Sequence, residues 1–295
     1  MLISHFRNGR YFRLAEADLL GSDPIHHSPL TIHSAHLCPM CYGVQARKGM
    51  TLRIAKARGD QMAVERLERE FALDPALDLH FANAFDHPRL VLYTGDAPKD
   101  PEFFTWGLVP RWVKTVEQGN ALWNQTLNAR GESIFDKPAF REAARQRRAL
   151  LFVEGFFEHF HYAKRAYPFF IHLKERPWFA LAALWEEWRD PSTGEAQRTF
   201  SIVTTEANAL MRRIHNKPGV LGPRMPVILA PEEESGWLDT GTIRDEAGLQ
   251  PLLGPFPADA MEAHAVRPLL GKGGMGNRPG ASEPFEYPEL ALAGP

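Results

Sequence analysis

An α+β fold is predicted for the 295-residue chain: a single domain with a mainly antiparallel, barrel-like β-sheet and flanking helices. Two observations predict it. Short apolar runs of strand character outnumber helical stretches. The two kinds do not alternate in the regular βαβ order that a doubly wound parallel sheet requires. No internal repeat is present.

In chain order, Leu52 to Leu73 has charged and apolar residues at helical spacing, with Val64, Leu67 and Phe71 on one face. Leu90 to Tyr93 reads as a strand, and Phe103 to Val109 as another that Pro110 stops. Lys137 to Arg148 reads as a basic helix. Ala149 to Glu158 follows as an apolar strand entering a hairpin. Pro168 to Leu173, Trp178 to Trp185 and Phe200 to Thr204 are the next strands, and Ala207 to Ile214 is a short helix. Arg224 to Leu229 is a strand. Pro231 to Leu238 is a helix with Glu232, Glu233 and Glu234 in its first turn, where carboxylates favour the dipole.

The two ends differ in composition. Gly21 to Pro39 holds four of the twelve histidines, three prolines and no hydrophobic periodicity. Residues 1–39 therefore read as a disordered leader or a misassigned start, 40–253 as the domain, and 254–295 as a Gly/Pro-rich extended tail. No apolar stretch approaches the roughly 20 residues of a membrane span, and the N-terminus has no secretory pattern. The two cysteines, Cys38 and Cys41, make no disulfide framework and suit a reducing compartment. A cytoplasmic protein is expected, nucleoid-associated in a bacterium.

The formal net charge is −2, so any nucleic-acid site is a local patch. Between Arg111 and Arg148 there are eight Lys/Arg against four Asp/Glu. Arg47, Lys48, Arg53, Lys56 and Arg58 follow Cys41 with no intervening acid. Arg212, Arg213, Lys217 and Arg224 surround His215. Each cluster alone reads as a solvated helix face. Beside candidate catalytic groups, and with Trp106 and Trp112 interleaved, they suit a phosphate backbone with stacked bases. Trp106 reads as core, and Trp112 is left open as a stacking residue.

Five segments carry the chemistry: Met40-Cys41, Trp106-Gly107, Asn128-Ala129-Arg130-Gly131-Glu132, Gly155-Phe156-Phe157-Glu158, and Ile214-His215 followed by Arg224-Met225-Pro226-Val227-Ile228-Leu229. In this order, over about residues 40–240, the chain resembles the SOS-response-associated peptidase (SRAP) family. Asn83-Ala84-Phe85 matches a further family segment more loosely.

The resemblance implies capture of abasic sites in single-stranded DNA by Cys41 acting as the N-terminal residue. The α-amine condenses with the ring-opened sugar aldehyde to an imine. The thiol then closes it to a thiazolidine, a stable covalent link. Glu158 would be the general acid/base, and His215 would protonate the sugar ring oxygen. Asn128 would orient the Cys41 amine. Arg130 would hold a phosphate bidentately. Arg111, Trp112, Arg47, Lys48 and Arg224 are the further candidate DNA contacts. No cofactor or metal is needed, and a one-to-one trap works as a monomer.

Two departures lie within the domain. Many family members read Met-Cys-Gly-Arg, the Arg meeting DNA; here Tyr42-Gly43 stands instead, and Arg47 or Lys48 would supply that contact. The stretch from Asn216 to Gly222 is longer than in the shortest members. The residues before Met40 leave three possibilities: a misassigned start, a leader the protein removes from itself, or a retained leader that abolishes the chemistry. Rival readings are a zinc module on His33, His36, Cys38 and Cys41, a non-covalent single-stranded DNA-binding barrel, and a cysteine peptidase using Cys41, His215 and Glu158.

Overall fold

The computed structural model describes residues 42–291 except 60 and 219–221. Cys41, Cys38 and the leader lie outside the described residues. The strands are β1 Gly43–Ala46, β2 Leu79–Asn83, β3 Arg89–Thr94, β4 Glu102–Trp106, β5 Asn128–Arg130, β6 Arg148–Val153 and β7 Gly155–Tyr162. They continue as β8 Arg165–Leu173, β9 Phe179–Arg189, β10 Ala196–Glu206, β11 Arg224–Pro226, β12 Ile228–Leu229 and β13 Met261–Ala265. The helices are α1 Lys48–Ala57, α2 Gln61–Leu73, α3 Val116–Trp123, α4 Arg141–Gln146, α5 Ala209–Ile214, α6 Pro231–Leu238 and α7 Glu246–Leu249. None of the described helices is long and apolar enough to cross a membrane.

The fold is α+β, as the strand-rich pattern predicts. One sheet runs β13-β8-β7-β1-β2. The other closes on itself, because β10 pairs with both β4 and β9 in the ring β10-β4-β3-β6-β9. Pairing is antiparallel except where β10 meets β4 and β5. Closure removes the open edges that a sheet would otherwise have to protect. Trp106 is fully buried, stacks on Phe200 at 5.8 Å and donates its indole N–H to the Leu127 carbonyl, the core role expected of it. Val64, Leu67 and Phe71 of α2 are buried as their spacing predicts.

Five expectations are corrected. The helical stretch Leu52 to Leu73 is two helices, broken where Gly59 takes a φ of +85° that other residues rarely adopt. The strand expected from Phe103 to Val109 ends at Trp106, because Gly107 turns the chain at φ +113°. The basic helix shrinks to α4. Arg147 and Arg148 fall in extended chain and are buried, Arg147 against Glu186 and Arg148 against the carbonyls of Ala144, Trp237, Asp239 and Ile243. Ala149 to Glu158 is not one strand: the chain leaves the closed sheet at Glu154 and enters the other as β7. Arg224 to Leu229 is split at Val227, which bonds to Val203 of β10 and to Ala182 of β9 as the chain crosses between them.

The Gly/Pro-rich stretch after Leu253 is also built into the fold. β13 pairs with β8 from Met261↔Leu173 to Ala265↔Phe169, and Val266, Leu269, Ala281 and Leu290 are buried.

Candidate functional site

β7 organises the site. Strand alternation places Glu158 on the same face as Phe156 and Phe160, which belong to the main core. Its carboxylate is therefore almost wholly buried, and its Oε1 accepts the backbone N–H of His159 at 2.8 Å. His215 follows the last turn of α5, held by its N–H on the Met211 carbonyl. Asn208 caps that helix by accepting the Met211 N–H. The His215 side chain is 2% exposed and that of Glu158 5%, and Nδ1 lies 3.8 Å from Oε2.

That separation is an ion-pair distance, longer than a hydrogen bond. Nδ1 also faces the backbone N–H of Arg224 at 3.5 Å, while Nε2 has no hydrogen-bond partner among the described residues. Nδ1 can thus accept from Arg224 when the ring is neutral, or present a proton to Glu158 when charged. A buried carboxylate and imidazole this close are candidates for the acid and base of a single reaction.

Tyr42, the residue after Cys41, reaches the same strand. Its ring stacks on His159 at 5.3 Å and meets Phe85, and its carbonyl accepts the Ala84 N–H. This gives Asn83-Ala84-Phe85 a place beside the site. Desolvation, reinforced by nearby His161, lowers the His159 pKa to about 4, so its ring stacks uncharged. Burial, then Lys217 and His215, pushes His161 down as well.

β10 ties in the remaining groups. Its Thr204 stands opposite Arg130 of β5 and Pro226 of β11. Asn128 opens β5 opposite Ile202, half-buried, on the same face as Arg130. Arg130 is exposed and makes no ion pair among the described residues. Arg224 is already engaged: it grips Glu132 through both terminal nitrogens (2.8 and 2.7 Å) and donates to the Thr204 carbonyl. Burial pushes the Glu132 carboxyl up, but the bonds and charge of Arg224 override it and hold the group below its usual range.

The other candidate DNA contacts are not gathered there. Arg47 forms a bidentate pair with Glu154, and Lys48 sits over Phe71. Glu154 is four residues from Glu158 on this strand run, roughly 13 Å. These two residues thus leave the opposite end of β1 from Tyr42. Arg111 donates to Glu186, which also holds Arg147. Trp112 is half-exposed and donates its indole N–H to the Pro138 carbonyl. No cluster of His, Cys, Asp and Glu suited to a metal occurs among the described residues; the four residues of the zinc reading lie outside them. Sequence reasoning overlooked Tyr42 and His159 as neighbours of the pair, Glu132 as the partner of Arg224, and Asn216, whose side chain bonds to the His161 backbone.

Fold and site together define a barrel-based α+β domain with a buried glutamate–histidine pair whose glutamate lies midway along β7, the strand that Tyr42 packs against. The chain belongs to the SOS response associated peptidase (SRAP) family, whose model matches residues 50–273. It is 38% identical over 166 residues to YoqW of Bacillus subtilis (strain 168), named an abasic site processing protein, covering 56% of this chain and 68% of that one. It is 26% identical over 223 residues to Escherichia coli YedK, which carries the same description, covering 74% and 91%. A crystal structure of a Bacteroides thetaiotaomicron protein superposes with a TM-score of 0.72 at 33% identity, covering 83% of this chain and all of that one.

Proposed function

We propose that this protein processes abasic sites in DNA by covalent capture in single strands, through Cys41 exposed as an N-terminal residue. The observation that carries the reading is the buried Glu158–His215 pair beside Tyr42, the residue that follows Cys41. The names of its relatives support the substrate.

The chemistry is balanced without a cofactor. His215 lends a proton to the sugar ring oxygen, and the ring opens to the aldehyde. The Cys41 amine adds to the carbonyl carbon, and the resulting hydroxyl leaves as water, with Glu158 moving the protons. The Cys41 sulfur then adds to the imine carbon while the nitrogen takes up a proton. One water is lost overall. An amide nitrogen cannot do this, so the residues before Cys41 must be absent or removed, by Met removal at Met40 or by self-cleavage. Asn128 orients the amine. Arg130, exposed and without an ion pair among the described residues, holds a phosphate. Arg224 meets one only when Glu132 releases it. The acting form is a cytoplasmic monomer, on the nucleoid in a bacterium.

The test is incubation with single-stranded DNA bearing one abasic site. A heat- and SDS-stable complex is expected from protein starting at Cys41, and none from Cys41→Ala. Binding that survives Cys41→Ala unchanged, with no stable complex in either, would leave only a DNA-binding barrel.

A further inference from the structure

Glu158 and His215 come from distant parts of the chain, so something must fix their spacing. We propose that Asn216 is a positioning residue for this site: its side-chain amide acts as a one-residue strand partner for β7 and thereby sets His215 against Glu158. The inference rests on the function proposed above and names how that site is held.

The geometry follows from the edge of β7. β1 covers that edge only from Gly155 to Phe157. Because strand residues alternate, His159 and His161 turn their backbone polar groups to the same edge, where β1 is absent. The His159 N–H is satisfied by the Glu158 carboxylate. At His161, the N–H donates to Asn216 Oδ1 at 2.7 Å and the carbonyl accepts from Asn216 Nδ2 at 3.0 Å. Two bonds to one residue are the pattern of a hydrogen-bonded antiparallel pair. A side-chain amide offers an acceptor and a donor side by side, as a backbone peptide does.

Asn216 is covalently next to His215. Pinning it to His161 therefore anchors the histidine to the strand that bears Glu158, three residues away. Among the described residues, the other backbone hydrogen bond of His215 is that of its N–H to the Met211 carbonyl in the last turn of α5. The groups facing His215 are Glu158 and His161 from β7 and Arg224 from β11, with Lys217 just beyond Asn216.

The test compares Asn216→Ala and Asn216→Asp with the unaltered chain. Three quantities are measured: capture rate at saturating abasic-site DNA, affinity for intact single-stranded DNA, and thermal unfolding. Asn216→Ala is expected to slow capture by about tenfold to a hundredfold, the cost of a small misplacement, with affinity unchanged and the protein folded. Asn216→Asp keeps the acceptor for the His161 N–H and recovers part of the rate. Capture by Asn216→Ala at the original rate, an equal fall in rate and affinity, or no recovery by Asn216→Asp overturns the proposal. If the unaltered protein forms no complex at all, the function fails, and the positioning claim is read from the His215 ring by NMR. Ring shifts altered by Asn216→Ala uphold it; unaltered shifts overturn it.

Discussion

Nδ1 of His215 stands 3.8 Å from Oε2 of Glu158, and both side chains are almost fully buried. Bulk water is kept from both groups, so any interaction between them is little screened. Glu158→Gln keeps the acceptor for the His159 N–H and removes only the proton carrier. It should slow covalent capture by roughly 10²- to 10⁴-fold, the usual worth of general acid–base catalysis, without unfolding the protein. His215→Ala should slow it too. Single-turnover gels, with circular dichroism as a folding control, check both.

The Arg224–Glu132 pair makes an opposite prediction for affinity. Glu132→Gln frees a guanidinium that the carboxylate now occupies. Binding to intact single-stranded DNA should tighten, and its salt dependence should steepen. Arg130→Ala should do the reverse, lowering the slope of log K against log salt by about 0.7, one phosphate contact on a single strand. Fluorescence anisotropy across a salt series reads both.

Buried Arg148 predicts a large loss of stability. Burial lowers its pKa to about 10, and its guanidinium donates to four backbone carbonyls. Arg148→Met leaves these acceptors unsatisfied and should cost about 2–4 kcal/mol. Arg148→Lys should recover little, since one ammonium cannot span the same fork. Urea unfolding measures the difference.

The Tyr42–His159 stack predicts a dependence on pH. Desolvation depresses the folded pKa of His159 to about 4, against about 6.5 when unfolded. The unfolded chain therefore takes up a proton first as pH falls. Stability is fully present above about pH 6.5 and is lost towards pH 4, by about 2 kcal/mol between pH 7 and pH 5. His159→Phe keeps the ring stack and should remove this portion of the slope, which urea titrations at several pH values would show.

Local signals carried much of the fold. α6 was legible residue by residue, because Pro231 and the following glutamates are a helix start in themselves. The breaks were not. Gly59 sits inside a continuous periodic pattern, and the transfer from β6 to β7 at Glu154 depends on which sheet each half joins, which no short window records. β13 hid in a Gly/Pro-rich stretch because its strand character comes from pairing with β8. In the site, the order of the five segments pointed to Glu158 and His215. The clamp by Asn216 had no signature, since a side chain bonding to a distant backbone leaves no spacing rule. The basic clusters misled where charge proved internal, as at Arg147 and Arg148.

In the proposed mechanism, Cys41 links to the abasic sugar through both nitrogen and sulfur. Intact mass spectrometry of the complex tests it most directly, using protein whose first residue is confirmed as Cys41. A mass equal to protein plus DNA less one water, absent for Cys41→Ala and for protein retaining residues before Cys41, is the predicted result. A folded protein with a free Cys41 that yields only the separate masses would contradict the account.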